Sequence, residues 1–235
     1  MFASIRVISF DLDDTLWPCR PVIQQAEQQL YDWLMEHAPE IPRKYSIEAM
    51  RRQRLDFQRD NPDIAHDLTR VRHGALQQLM DAHGYPGSLV DQGTALFREA
   101  RNQVTPYPDV LPVLERLLPR YRLVSITNGN AEIEKTPLSN VFHRSFTAAE
   151  AGAARPDPAL FRAVLDWSEI EPGSILHVGD DPVRDVEPAS QLGLRTAWMK
   201  RGGRQESEPE NLSTADVIVR DLHQLAALLT GNQDR

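Results

Sequence analysis

The sequence predicts an α/β protein with a parallel sheet that is interrupted by an inserted block of four helices. Residues 5–10 are rich in β-branched side chains and are typical of a buried strand. Residues 22–103 then show helical spacing with hardly any strand signal, and strands alternate with helices after residue 105. Because such alternation produces parallel sheets covered on both faces, the first strand and the later strands should share one sheet.

The helical block is expected to be an inserted domain. Its four predicted helices lie near residues 22–37, 46–59, 67–83 and 88–103, with proline and glycine between them. Four successive helices favour a small bundle. Since the first strand precedes the block, we expect residues 1–18 and 105–235 to form the core domain and residues 19–104 to form the insertion.

The second half of the chain is expected to complete the sheet. The predicted strands lie at residues 121–126, 144–147, 174–178, 196–199 and 217–219. The predicted helices lie at residues 110–118, 158–167, 183–192 and 221–229. This order predicts a Rossmann-like core, in which ligands bind beyond the carboxyl ends of the strands.

Composition limits the class of protein. A net charge of −8 disfavours nonspecific binding of nucleic acid, which needs a basic surface. The single cysteine, Cys19, excludes an intrachain disulfide, and no apolar stretch approaches the roughly 20 residues that span a bilayer. We expect a cytoplasmic protein, monomeric or homodimeric, without membrane or nucleic-acid partners.

Acidic residues follow two of the predicted strands. Asp11 and Asp13 come directly after the first strand and point to the same side in extended geometry. Asp180, Asp181 and Asp185 follow a later strand. Neighbouring carboxylates repel one another, and a divalent cation bound by their oxygens would relieve this repulsion. Helix capping by Asp181 and complementarity of Asp185 to the helix dipole are the alternatives.

Two further strand ends carry residues suited to phosphate. Thr127 and Asn128 can bind phosphate oxygens, although Asn128-Gly129 is also a strong turn signal. Arg155 precedes a proline and a predicted helix, where a cation can hold a phosphate. A surface arginine is the alternative for that position.

Taken in order, these clusters resemble the four motifs of the haloacid dehalogenase superfamily. The matching residues, from the DxDxT motif to the fourth motif, are Asp11, Asp13 and Thr15; Thr127; Arg155; and Gly179, Asp180 and Asp185. The third motif of the superfamily usually has lysine where this chain has Arg155. Arginine keeps the charge but is bulkier and planar, so the geometry of the phosphate clamp stays open.

The resemblance implies a magnesium-dependent reaction. It makes Asp11 the nucleophile that forms an aspartyl-phosphate, and Asp13 the general acid and base. It implies that Mg²⁺ is held by Asp11, the backbone carbonyl of Asp13, and Asp180. The other implied roles are phosphate binding by Thr15, Thr127, Asn128 and Arg155, and support of the metal shell by Asp181 and Asp185.

The resemblance also bears on the substrate. Asp13 favours a phosphatase or phosphomutase, because the superfamily's dehalogenases lack an acid there and halide leaves without a proton. The insertion resembles a helical cap that closes over the site, which implies a small phosphorylated metabolite as partner. Residues 20–23 and 66–70 resemble bacterial phosphatases acting on flavin mononucleotide and 5-amino-6-(5-phosphoribitylamino)uracil. Another metabolite phosphatase, a phosphomutase and a non-catalytic binding module are the alternatives.

A few other side chains receive the roles that are usual for their type. Trp17 can stack on a substrate ring or pack in the hinge. Arg51, Arg52 and Arg54 are expected at the surface. Arg70 and Arg72 are expected on a solvated helix face unless they meet the substrate. His177, within an apolar strand, is expected to be a hydrogen-bonded core residue.

Overall fold

The computed structural model describes residues 2–202 and 215–231, which form two compact units. One unit comprises the described residues of Met1–Pro18, Thr105–Asn128 and Ile133–Arg235, and it contains the sheet. The other unit comprises Cys19–Val104 and Gly129–Glu132 and is helical. None of the helices in the described ranges is both long and apolar enough to cross a membrane.

The sheet has six strands among the described residues, all parallel, in the order β3-β2-β1-β4-β5-β6. The strands are β1 (Val7–Phe10), β2 (Arg122–Thr127), β3 (Arg144–Thr147), β4 (Ile175–Gly179), β5 (Arg195–Met199) and β6 (Val217–Val219). β1 and β4 are fully buried, as is usual for parallel strands covered on both faces. The predicted parallel sheet is confirmed, and its strand order reverses direction between β1 and β4, where ligands bind in such folds.

The helical unit contains four long helices at the predicted places and a short one that was not predicted. These are α1 (Cys19–His37), α2 (Glu40–Lys44), α3 (Ile47–Asp60), α4 (Leu68–Ala82) and α5 (Ser88–Arg101). The short helix α2 tolerates Pro42, because first-turn N–H groups have no intrahelical acceptor. Asp67 caps α4 by accepting from the N–H groups of Thr69 and Arg70, both at 3.0 Å.

The sheet unit adds five α-helices within the described ranges. These are α6 (Val110–Leu117), α7 (Ala148–Ala151), α8 (Ala159–Ser168), α9 (Glu187–Gln191) and α10 (Leu222–Thr230). The single helix predicted at residues 183–192 is wrong, because Pro182–Val186 forms a π-helical turn before α9. Pro188 cannot donate the N–H that one continuous helix would require. Helix α7 was not predicted, although Thr147 and Glu150 form its capping box.

Candidate active site

Three carboxylates meet where β1 and β4 end. One oxygen from each of Asp11, Asp180 and Asp185 lies within 4.8 Å of the others. Asp11 directly follows β1 and Asp180 directly follows β4, while Asp185 lies in the π-helical turn. Because β1 and β4 are paired neighbours, the residues that follow them emerge side by side. This group of hard oxygen donors has the chemistry that a magnesium ion requires.

Thr15 lies between two of these acids. Its hydroxyl oxygen is 3.3 Å from Oδ2 of Asp11 and 3.2 Å from Oδ1 of Asp180, and its side chain is fully buried. A hydroxyl has one proton to donate, so it can satisfy one carboxylate at a time. Thr15, predicted to bind phosphate, therefore contacts the acids that flank the site.

Arg155 is buried in the middle of the site. One of its terminal nitrogens contacts Asp11 and the other contacts Asp185. The amide of Asn128 holds this arginine: Oδ1 accepts from the backbone N–H of Arg155 at 2.8 Å and from its Nε at 3.3 Å, and Nδ2 donates to its carbonyl at 2.9 Å. Asn128, predicted to bind phosphate, orients the predicted phosphate clamp in this structure. Thr127 is buried at the end of β2.

The charge of Asp11 is poorly stabilised by the protein alone. Burial raises the pKa of the Asp11 carboxyl well above its ordinary value, and Arg155 only partly opposes this. The neighbouring acids Asp185, Asp180 and Asp13 raise it further. A cation bound among these carboxylates would favour the ionised form of Asp11.

Asp185 has the opposite balance. Burial disfavours its charge, but Arg155 and His177 hold the pKa of the Asp185 carboxyl below its ordinary value. The backbone N–H of Asp181 also donates to Oδ2 of Asp185 at 3.0 Å. Asp185 therefore acts as the anionic anchor that positions Arg155.

Asp181 caps the π-helical turn, which is the alternative to a metal-supporting role that the sequence allowed. Its Oδ1 accepts from the N–H groups of Val183 at 2.9 Å and Arg184 at 3.1 Å. Its carboxylate is thus used at the start of the π-helical turn, while its N–H supports Asp185. Support of a metal shell by Asp181 stays a prediction.

The turn after Asp11 is held by Trp17. The indole N–H of Trp17 donates to Oδ1 of Asp13 at 2.9 Å, and the N–H of Asp14 donates to the Trp17 carbonyl at 2.7 Å. Asp14 has a φ of 60°, a left-handed conformation that aspartate tolerates better than most residues. Trp17 itself is fully buried, so it packs beneath the turn and orients Asp13. Metal binding by the carbonyl of Asp13 stays a prediction.

Two residues reach the site in ways that sequence reasoning missed. His177 is the expected buried core residue, but its Nε2 lies 3.3 Å from Oδ1 of Asp185 and its Nδ1 lies 3.1 Å from Ser9 Oγ. Arg201 donates from Nε to the Thr15 carbonyl at 2.6 Å and pairs through both terminal nitrogens with Asp109. The position of His177 in the sequence, two residues before Gly179 on a strand that leads to the site, could have indicated this contact. No feature of the sequence near Arg201 indicates its contacts.

Comparisons with known proteins agree with this geometry. A family model described as haloacid dehalogenase-like hydrolase matches residues 5–193. The 5-amino-6-(5-phospho-D-ribitylamino)uracil phosphatase YigB of Escherichia coli (strain K12) is 30% identical over 200 residues, covering 83% of this chain and 84% of the relative. A glyceraldehyde 3-phosphate phosphatase of Methanopyrus kandleri is 25% identical over 217 residues, covering 88% of this chain and 89% of the relative.

A solved structure resembles the chain over nearly its full length. The crystal structure of a 2-haloacid dehalogenase from Pseudomonas syringae pv. Tomato DC3000 matches with a TM-score of 0.87 and 32% identity, covering 96% of this chain and 98% of that one. The resemblance that the four motifs indicated is confirmed. On the family match, the shared fold and the 30% identity to a full-length relative, this chain belongs to the haloacid dehalogenase-like hydrolases.

Proposed function

We propose that the chain is a magnesium-dependent phosphomonoester hydrolase that works through an aspartyl-phosphate on Asp11. The observation that carries the proposal is the pair of acids on one turn, Asp11 and Asp13, with the second held in place by Trp17. An alkoxide leaving group needs a proton, whereas a halide does not, so a positioned second acid favours phosphate ester hydrolysis. The names of the E. coli and M. kandleri relatives support the same reaction class.

In the proposed reaction, Asp11 forms and breaks a bond to phosphorus and Asp13 transfers protons. A carboxylate oxygen of Asp11 attacks phosphorus and forms an acyl-phosphate as the bond to the alcohol oxygen breaks. Asp13 gives its proton to that oxygen, and then takes a proton from the water that attacks the acyl-phosphate. Phosphorus–oxygen cleavage at Asp11 then restores the carboxylate and yields inorganic phosphate. Thr127 and Arg155 hold the phosphoryl oxygens while Asn128 keeps the arginine in place.

The residues fit a magnesium ion as cofactor. Asp11, the carbonyl of Asp13, and Asp180 would hold it, and the clustered carboxylate oxygens are the donors that this ion prefers. A magnesium ion bound there would screen the negative charge of the phosphate, so that the anionic carboxylate of Asp11 can approach phosphorus. Asp185 positions Arg155, because its carboxylate contacts both Arg155 and His177.

We propose a small metabolite as substrate, with flavin mononucleotide and 5-amino-6-(5-phosphoribitylamino)uracil as the first compounds to test. The name of the E. coli relative supports this choice, as do residues 20–23 and 66–70. We further propose that residues 19–104 act as a cap that selects the leaving group. Substrate preference on a shared fold changes easily, so the two compounds need direct comparison with sugar phosphates.

A haloacid dehalogenase is the second candidate, because the P. syringae structure carries that name and matches at 32% identity. The two functions differ at Asp13. In a phosphatase, Asp13→Asn should lower kcat by about 10²–10⁴-fold, as for loss of a general acid–base group. In a dehalogenase the same change should leave halide release nearly intact.

The test compares the parent with Asp11→Asn, Asp13→Asn and Asp14→Asn. Phosphate release is measured with the two proposed substrates and with sugar phosphates, and halide release with a 2-haloacid. Asp14→Asn is the matched control, because asparagine tolerates the left-handed φ of 60° at that position. We expect phosphate release by the parent and the control alone. Halide release without phosphate release, or substantial phosphate release by Asp11→Asn, would overturn the proposal.

A further inference from the structure

The helical unit contains a small cavity that none of the residues assigned to catalysis lines. Its volume is about 30 Å³, and it is partly open to solvent. Apolar side chains of α1 and α3, among them Leu30 and Met50, form one part of its wall. Glu27 and three arginines, Arg51, Arg54 and Arg72, form the charged part.

The charges around this cavity do not balance. Glu27 is already paired, since Nε of Arg51 donates to its two carboxylate oxygens at 3.2 and 3.0 Å. The Nε groups of Arg54 and Arg72 are buried and have no hydrogen-bond partner among the described residues. The guanidinium groups of Arg54 and Arg72 thus line a cavity in which Arg51 already pairs with the one carboxylate, Glu27. This excess of positive charge lies in a chain whose net charge is −8.

Arg54 and Arg72 are half-buried at this cavity rather than fully solvated. Burial lowers the pKa of the Arg72 guanidinium to about 9, and the nearby cations Arg54, Arg101 and Arg51 contribute to this shift. Burial likewise lowers the pKa of the Arg54 guanidinium. Glu27 opposes both shifts, but this one carboxylate faces three arginines, so the cluster would be more stable with a further anion.

Arg72 is held in one place by an aromatic ring. Its guanidinium carbon lies 3.2 Å from the centroid of the Phe97 ring, a cation–π contact that partly offsets the loss of water. Gly74, on the same helix, lies against Phe57, where an added Cβ would come within 2.3 Å of the ring. The helices on this side therefore pack closely, and the Arg72 donor is preorganised rather than free to turn toward solvent.

We propose that this cavity binds a small oxyanion, the carboxylate or phosphate group of a metabolite, between Arg54 and Arg72. Guanidinium groups match the planar or tetrahedral oxygens of such anions, and the apolar wall can contact a short hydrocarbon body. The site lies within the helical unit, uses no residue of the Asp11 site, and does not depend on the proposed phosphatase reaction.

The test measures thermal unfolding of the parent, Arg54→Met and Arg52→Met, without ligand and with rising malonate or inorganic phosphate. Arg54→Met keeps the aliphatic stem but removes the charge, and Arg52, exposed on the same helix, is the matched control. Phosphate can also bind near Asp11, so the informative quantity is the part of the Tm increase that Arg54→Met loses and Arg52→Met retains. Neither probe is hydrolysed, so the result is separate from the test of catalysis.

We expect the dissociation constant of the preferred probe to rise roughly tenfold or more in Arg54→Met, as for loss of a charge-assisted hydrogen bond. Without ligand, Arg54→Met should match or exceed the Tm of the parent, because it removes repulsion. A larger response to malonate assigns the site to carboxylates, and a larger response to phosphate assigns it to phosphoryl groups. If neither probe gives a stabilisation that depends on Arg54, or if Arg54→Met only lowers the Tm, the arginines are structural and the proposal fails.

Discussion

Arg155 differs from the lysine that is usual in the family but still supplies a cation to the site. Its two terminal nitrogens contact different carboxylates, Asp11 and Asp185, while Asn128 binds its Nε and backbone. An ammonium group on a flexible stem would be a point charge between the acids, whereas the planar guanidinium bridges them with fixed geometry. Arginine therefore keeps the cation of the clamp and adds a rigid link to Asp185.

Removal of this cation should be costly for turnover. We expect Arg155→Ala to lower kcat/KM by an amount equal to about 2–4 kcal/mol of transition-state stabilisation, and Arg155→Lys to recover part of it. Arg162→Ala, an exposed arginine on α8, is the control and should behave like the parent. Steady-state kinetics and circular dichroism check the result. An Arg155→Ala protein as active as the parent would mean that a different cation serves the phosphate.

At the scale of elements, the end of β4 leaves no space for a side chain. A Cβ on Gly179 would lie 2.3 Å from Cγ of Asp185, so the strand end must be glycine for that carboxylate to contact Arg155. The requirement is steric, since the backbone φ of Gly179 does not lie in the left-handed region.

Gly179→Ala should therefore impair catalysis through Asp185. We expect kcat to fall roughly 10- to 100-fold, as for loss of a residue that orients a catalytic group. Gly173→Ala is the control, because an added Cβ there meets nothing within 4 Å. The measurement is kcat at saturating substrate together with urea denaturation. Unchanged turnover in Gly179→Ala would show that the position of Asp185 is not needed.

Asp109 joins three elements of the sheet unit. Its carboxylate accepts from both terminal nitrogens of Arg201 and, at 2.6 Å, from the backbone N–H of Leu222, the first residue of α10. Arg201 also stacks over Tyr107, with 4.2 Å between the guanidinium carbon and the ring centroid. Although burial opposes ionisation, these hydrogen bonds lower the pKa of the Asp109 carboxyl overall.

This shift predicts a pH-dependent contribution to stability. A lowered pKa in the folded state stabilises the fold above the ordinary aspartate pKa near 4, and the effect is lost as pH falls through the folded-state pKa. At pH 7, Asp109→Asn should lower the free energy of unfolding by about 1–2 kcal/mol, as for loss of a hydrogen bond to a charged group.

Urea denaturation of the parent and Asp109→Asn between pH 7 and pH 3 checks this. The difference between the two proteins should shrink as pH falls below about 4. Asp166→Asn, at an exposed position on α8, should stay within about 0.5 kcal/mol of the parent at every pH. A difference between parent and Asp109→Asn that is constant with pH would exclude a role for the Asp109 charge.

At the scale of the whole molecule, the chain enters the helical unit twice. Besides Cys19–Val104, the short segment Gly129–Glu132 belongs to this unit. Nδ2 of Asn130 donates to Thr69 Oγ1 at 3.1 Å, and the N–H of Glu132 donates to Oδ1 of Asn102 at 2.8 Å. Thr127 and Asn128 are thus followed directly in the chain by residues that pack with the helices.

Metal removal tests the whole catalytic assembly. We expect exhaustive treatment with EDTA to abolish phosphate release and added Mg²⁺ to restore it. Mg²⁺ at 100 times its dissociation constant should stabilise the folded protein by about 2.7 kcal/mol. Asp180→Asn should lose this stabilisation, while the control Asp166→Asn should keep it. Activity that persists after chelation would refute the metal assignment of Asp11, Asp13 and Asp180.

The sequence by itself determined the class of fold and the set of acids at the strand ends. These features depend on local signals: β-branched runs, helical spacing, and motif residues placed directly after strands. The parallel sheet and the family followed from them, and the predicted strands lie within a few residues of the observed ones. The broken helix at residues 182–191 was predicted wrongly, because a π-helical turn depends on how Asp185 is held.

Only the tertiary structure decided which partners the polar side chains have. Arg155 meets Asp11 across 144 positions of sequence and Asn128 across 27, so neither contact leaves a local pattern. The same holds for Arg54 and Arg72, whose helical spacing is compatible with a solvated face but whose Nε groups are buried. Local periodicity reports which face of a helix is apolar, whereas the free energy of a charged group depends on neighbours from distant segments.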